Sequence, residues 1–213
     1  MNYTALAWAG VLPAILIGQV YLLGRKMSDP ERMMCALPGG LDPQQKETLA
    51  RYDEWLASTR LQFRTAFKFG SVTAAVFQQE DQPRYFSFLF HQRTTFSAES
   101  YLEDLTILDT SNSGTLGMLP RPGAYAQSFP NIPAQEVWRK HLEGEAYLTQ
   151  RFGFRWVPFK RPYEDLVTEA LRIRMKYTRS QSLWPVRVLY RYFVTRHTFA
   201  NRTIAQQFPL TGS

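Results

Sequence analysis

The pattern of apolar and polar positions divides the chain into three stretches. The first runs from Asn2 to Gly24 without a charged side chain. That matches the span of about 20 residues a helix needs to cross the hydrocarbon core of a bilayer. Trp8 and Tyr21 lie toward its two ends, where amphipathic rings favour the headgroup layer, and Arg25 and Lys26 follow at once. A secretory signal would want a basic start, a shorter apolar run and a small-residue cleavage site, and none is evident. A buried core helix is the third alternative. The stretch 1–26 is therefore read as a transmembrane anchor that meets the bilayer through residues 4–24. Its basic flank predicts an N-terminus outside and a C-terminal domain in the cytoplasm.

Residues 27–43 contain Pro30, Pro38, Gly39, Gly40 and Pro43, which break any period and mark a juxtamembrane linker. Asp42-Pro43 has the form of an N-cap followed by proline at the first helical position, so a short helix is expected from there to before residue 60. The second stretch then alternates with a period of two. Leu61, Phe63 and, after a slip, Phe67 and Phe69 are apolar in turn, and Glu80-Asp81-Gln82-Pro83 separates two strand-like runs. Residues 85–90 are apolar on both parities, which suits a strand covered on both faces. Residues 110–133 show no period. They are read as a long loop strapped over the sheet, with Tyr125 and Phe129 tucked in.

The third stretch returns to helical spacing. Pro133 opens one helix with Val137, Trp138, His141, Leu142 and Leu148 on one face. Pro162 opens another whose acids come early and whose bases come late, the order the helix dipole favours. A last helix is expected from Pro185 to near Gln207. The fold class is thus α+β: a transmembrane helix, then an antiparallel meander of about 4–5 strands, packed by C-terminal helices. Residues 44–213 are read as one domain, with sheet and loop over 44–132 and helices over 133–207. Strand–helix–strand alternation is missing, which argues against a doubly wound nucleotide-binding sheet.

Composition changes this picture in one respect. The 213 residues carry a net charge of +7, and hydrophobic residues make up 45% of them, which excludes wholesale disorder. The charge is uneven, because Arg151 to Ser213 holds 12 of the 25 Lys and Arg and only 3 of the 18 Asp and Glu. The basic end points to an anionic partner, either anionic lipid or an acidic protein surface. Arg187, Arg191, Arg196 and Arg202, interleaved with Val188, Leu189, Tyr192 and Phe193, form the best candidate contact with such a surface. The competing reading is a core helix whose arginines reach out to water. Nucleic acid ranks last, because no recognised binding signature accompanies the arginines.

Candidate chemistry is sparse. No phosphate-binding loop, dinucleotide fingerprint or nucleophile elbow occurs. His141 and Glu145 share a helical face, but two ligands do not make a metal site. Ser111, Ser113, His91 and Asp109 would make a hydrolytic set only if the sheet united them. Glu99, Glu103 and Asp104 form an acidic cluster, read as a solvated edge or turn. Cys35, the single cysteine, lies in the linker with no base nearby in sequence. No catalytic residue, cofactor or metal ligand is assigned.

The leading expectation is a single-pass, membrane-anchored protein with a non-catalytic cytoplasmic binding domain. One alternative is an enzyme or small apolar-ligand binder using a pocket between sheet and helices. Another is an accessory subunit of a membrane complex, its anchor packed on other spans through Gly10, Gly18 and Gln19.

Overall fold

A computed structural model describes residues 16–22, 24, 30, 34–37, 39–113, 119–158, 161–195, 198 and 200–209. Seven strands form one sheet in sequence order: β1 (Met34–Ala36), β2 (Leu61–Phe69), β3 (Val72–Gln79), β4 (Arg84–Phe90), β5 (Thr94–Tyr101), β6 (Ile107–Ser111) and β7 (Ala124–Ser128). Neighbours are antiparallel except β6 and β7, which run parallel. The fold is α+β as expected, but the count of 4–5 strands is too low and the sheet is mixed.

Both extra strands have a physical explanation. β1 is three residues long, too short to show a period, and exists through pairing of Met34 with Phe69 and Ala36 with Phe67. It lies in the stretch read as linker. β7 lies in the stretch read as loop. A parallel neighbour needs a crossover of about a dozen residues or more, and the chain between Ser111 and Ala124 supplies it. The slip in the period of β2 is a bulge, since the register with β3 shifts between Phe63 and Thr65.

Helices cover both faces, which explains why β4 is apolar on both parities. On one face Phe86, Phe88 and Phe96 pack against α1 (Pro43–Ala50), α2 (Asp53–Ser58) and α3 (Ala134–Phe152), where Leu56, Val137 and Trp138 are buried. On the other, Phe67, Val76, Tyr85 and Tyr101 meet Tyr163 and Leu166 of α4 (Tyr163–Ser180). The start of α1 is as the sequence implies: the Asp42 carboxylate accepts from Gln45 N at 2.8 Å, and the Gln45 side chain accepts from Asp42 N in return.

The last expected helix is broken into pieces. α5 (Trp184–Tyr190) continues as a π-helical turn (Arg191–Thr195), and a separate α6 spans Ile204–Gln207. Ala200 bridges to Ser128 of β7 and Asn201 turns with a left-handed φ of 61°, so helical backbone does not run through these two residues. Thr203 then restarts a helix with its own capping box.

The expected anchor falls mostly outside the described residues, as do its flanking residues Trp8, Arg25 and Lys26. Residues 16–22 are helical, and among the described residues no helix is long and apolar enough to cross a membrane. Tyr21 stacks on Trp184 at 6.1 Å between ring centroids. Gly24 is buried beneath the same indole, where an added Cβ would lie 2.4 Å from a ring carbon.

Candidate functional site

β5 and β6 carry polar side chains toward both faces of the sheet. Period-two alternation sends Ser100 and Thr110 toward α3, and Ser97, Glu99 and Asp109 toward α4. Two buried polar layers result, with the strands between them.

The layer under α3 centres on His141, which is fully buried. Its Nε2 lies 2.7 Å from Ser100 Oγ and its Nδ1 3.0 Å from Thr110 Oγ1. Gln127 donates to Thr110 Oγ1 at 2.9 Å and to the Lys140 carbonyl at 2.8 Å, and accepts from Ile204 N at 3.1 Å. Ser100 also donates to Glu145, whose second oxygen accepts from Arg84 Nε at 2.6 Å. Gly144 admits this layer, since an added Cβ would meet Gln127 Nε2 at 3.0 Å and Leu108 Cδ2 at 3.2 Å. Burial, reinforced by the charge of Arg84, pushes the His141 pKa down to about 3, so the imidazole is neutral.

Serine, histidine and glutamate therefore meet, but not as a catalytic relay. In such a relay the acid orients the imidazole and the imidazole activates the serine. Here Glu145 binds the serine itself, and Thr110 occupies the other ring nitrogen. Ser100 is sealed from solvent, so no substrate reaches its oxygen. The layer joins β4, β5, β6, β7 and α3 as a structural network.

The layer under α4 pairs two carboxylates. Glu99 and Asp109 stand opposite each other across β5 and β6. Tyr101 and Tyr163 donate to Glu99 Oε2 at 2.8 and 3.1 Å, and Ser97 donates to Asp109 Oδ1 at 2.9 Å. Burial first, and the charge of Asp109 second, push the Glu99 pKa up to about 7, against the tyrosine hydrogen bonds and Arg174. Burial also raises Asp109, opposed by Ser97 and Arg174.

The acidic cluster expected from the sequence is divided. Glu103 and Asp104 are exposed, with Asp104 Oδ1 accepting from Thr106 N at 2.8 Å. Only Glu99 enters the layer, and its true neighbour is Asp109. The sheet does not unite Ser111, Ser113, His91 and Asp109 into a hydrolytic set either. Exposed His91 lies 3.3 Å from the Ser71 carbonyl, Ser111 donates to the Ser113 carbonyl, and Asp109 is held by Ser97. Among the described residues no three His, Cys, Asp or Glu are grouped to hold a metal ion.

The C-terminal arginines part company. Arg187 and Arg191 line one open groove of about 570 Å³ with Leu119, Leu183, Val186 and Tyr190. Leu183 is 75% exposed and Phe193 56%, and Tyr190 and Val194 are also exposed. This makes a contiguous apolar face, of the kind that marks a protein or membrane contact. Arg202 is exposed near the start of α6, where its carbonyl accepts from Gln207 at 3.1 Å, and Arg196 lies outside the described residues. Arg191 also faces inward, onto a smaller cavity shared with Arg174 and Asp109.

No protein-family model, curated protein or solved structure matches this chain.

Proposed function

We propose that this chain is a single-pass membrane protein whose α+β domain is a non-catalytic binding module, resting the α5 and π-helical face on an anionic bilayer surface. One observation carries the reading. Tyr21 and Gly24, at the end of the uncharged N-terminal run, pack on Trp184, the first residue of α5. The point where the chain would leave the bilayer therefore adjoins the face that combines exposed Leu183, Val186, Tyr190 and Phe193 with Arg187.

The energetics favour docking. Full burial of one large apolar side chain is worth about 1.5–3 kcal/mol. An arginine near an anionic leaflet adds about 1 kcal/mol. A tether makes this second contact nearly intramolecular, so weak contacts suffice. An acidic protein surface would offer the charge but not the adjacency. The sealed Ser100–His141–Glu145 network supports a module without hydrolytic chemistry.

The test is hydrogen exchange on the full-length protein in nanodiscs of zwitterionic lipid, with and without phosphatidylserine. The α5 and π-helical amides should exchange more slowly with the anionic lipid. R187E combined with Y190D should remove the difference. Equal exchange in both lipids would end the surface-docking reading.

A further inference from the structure

We propose that the groove between α1 and two hairpin turns of the sheet binds a phosphorylated polyol, either a free sugar phosphate or the same chemistry in the headgroup of a phosphorylated inositol lipid. The groove holds a space of about 350 Å³. It shares no residue with the α5 face, so the inference does not depend on bilayer docking.

Strand register builds the floor. Lys68 pairs with Thr73, Thr73 with Phe90, and Phe90 with Thr94. One row of side chains therefore crosses β2, β3, β4 and β5 on a single face. That face lies under α1, since Phe90 shares a core with Leu49. The β2–β3 turn at Ser71 and the β4–β5 turn from His91 to Arg93 form the rim. His91 ties the two turns together, its Nδ1 donating to the Ser71 carbonyl at 3.3 Å. On the remaining side α1 supplies Gln44 and Thr48.

The charge of the walls selects the ligand. Lys68 and Arg93 are exposed, and among the described residues neither side chain has an ion-pair or hydrogen-bond partner. Asp42 is the one acid among the described walls. Its Oδ1 accepts from Gln45 N at 2.8 Å, so its charge is set against the positive end of α1. Two cations remain for a ligand. A phosphate monoester carries about two negative charges at neutral pH and has three acceptor oxygens, whereas a carboxylate carries one charge. The other walls are mostly hydroxyls and side-chain amides, which pair with the hydroxyl groups of a polyol. Phe90 is only 9% exposed, so an apolar tail would find little carbon to cover. Small-molecule pockets span about 300–1,000 Å³. This groove lies at the lower end, the scale of one sugar ring with its phosphate.

Full-length protein in detergent would be titrated with glucose monophosphate, glucose and glucuronate at matched ionic strength, with heat of binding as the readout. In a second arm, hydrogen exchange would compare nanodiscs carrying phosphatidylinositol monophosphate with nanodiscs carrying phosphatidylserine at equal lipid charge. The expected result is saturable binding of glucose monophosphate, or slower exchange of the β2–β3 and β4–β5 turns with the inositol lipid alone. The first outcome assigns the site to a free sugar phosphate and the second to a lipid headgroup. Both lysine and arginine are exposed, so K68Q combined with R93Q should leave the thermal midpoint in place. The double variant should weaken binding by about ten-fold or more, or remove the lipid-specific protection. The proposal is overturned if neither arm responds, if glucose or glucuronate binds as tightly as the phosphate ester, or if the double variant behaves as the parent does.

Discussion

At the scale of single residues, Glu99 and His141 impose opposite pH dependences on stability. Glu99 holds its proton up to about 7 in the folded chain, against an ordinary value of 4.5. Between those values folding takes up a proton, so this contribution to stability falls as pH rises and is constant above 7. His141 refuses its proton down to about 3, against an ordinary 6.5. Between those values unfolding takes up a proton, so this contribution rises with pH. The two windows overlap, and in the overlap the slopes partly cancel. E99Q removes the falling contribution. Urea unfolding across pH 4.5–7 should show the variant gaining on the parent by about 1–3 kcal/mol as pH rises, then holding a constant difference. A difference that stays flat across the whole range would show that Glu99 ionises normally. The partnership with Asp109 was invisible in the sequence, because spacing along the chain favours Glu103 and Asp104. Register decides which side chains meet across strands, and register comes from the whole sheet.

At the scale of elements, local signals were legible where chemistry is local. The Asp42-Pro43 start of α1, the Glu80–Pro83 turn and the bulge in β2 all show in the sequence. Elements created by a distant partner did not show. β1 exists because the end of β2 offers it an edge, and β7 because β6 does. The packing of residues 16–24 on α5 is of the same kind, since nothing in the first segment announces Trp184. G24L should break that packing, because the indole has no room for a Cβ. Trypsin should then cut faster after Arg25 and Lys26, while the thermal midpoint of the remaining fold moves little. Unchanged cutting would mean that the indole yields to the larger side chain.

At the scale of the molecule, both-face coverage of the sheet could be read from Tyr85 to Phe90 alone. The meeting of Arg174, Arg191 and Asp109 around one cavity could not, because α4, the π-helical turn and β6 each supply one member. The proposed orientation is also a whole-molecule property. In sealed membranes, a tag placed after Ser213 should resist external protease if the basic flank stays on the cytoplasmic side. Cleavage from outside would place the domain on the other face and call for an extracellular or periplasmic anionic partner.

The two ends of the sheet are closed unequally. Beyond β7 the chain's own C-terminal segment lies alongside, with Asn201 N donating to the Ser128 carbonyl at 2.7 Å and Gln207 Nε2 to the Ala126 carbonyl at 3.0 Å. At the opposite end β1 reaches only Phe67–Phe69, and among the described residues nothing pairs with the outer edge of Leu61–Ala66. An open edge is a template for adding a foreign strand, and it is where self-association and fibril growth begin. This chain places a bulge and the exposed Arg64 there, next to Phe63, which is 56% exposed. Colloidal behaviour in concentrated solution therefore depends on one cation and one kink, and replacing Arg64 with an apolar β-branched residue would remove the guard while leaving the core intact.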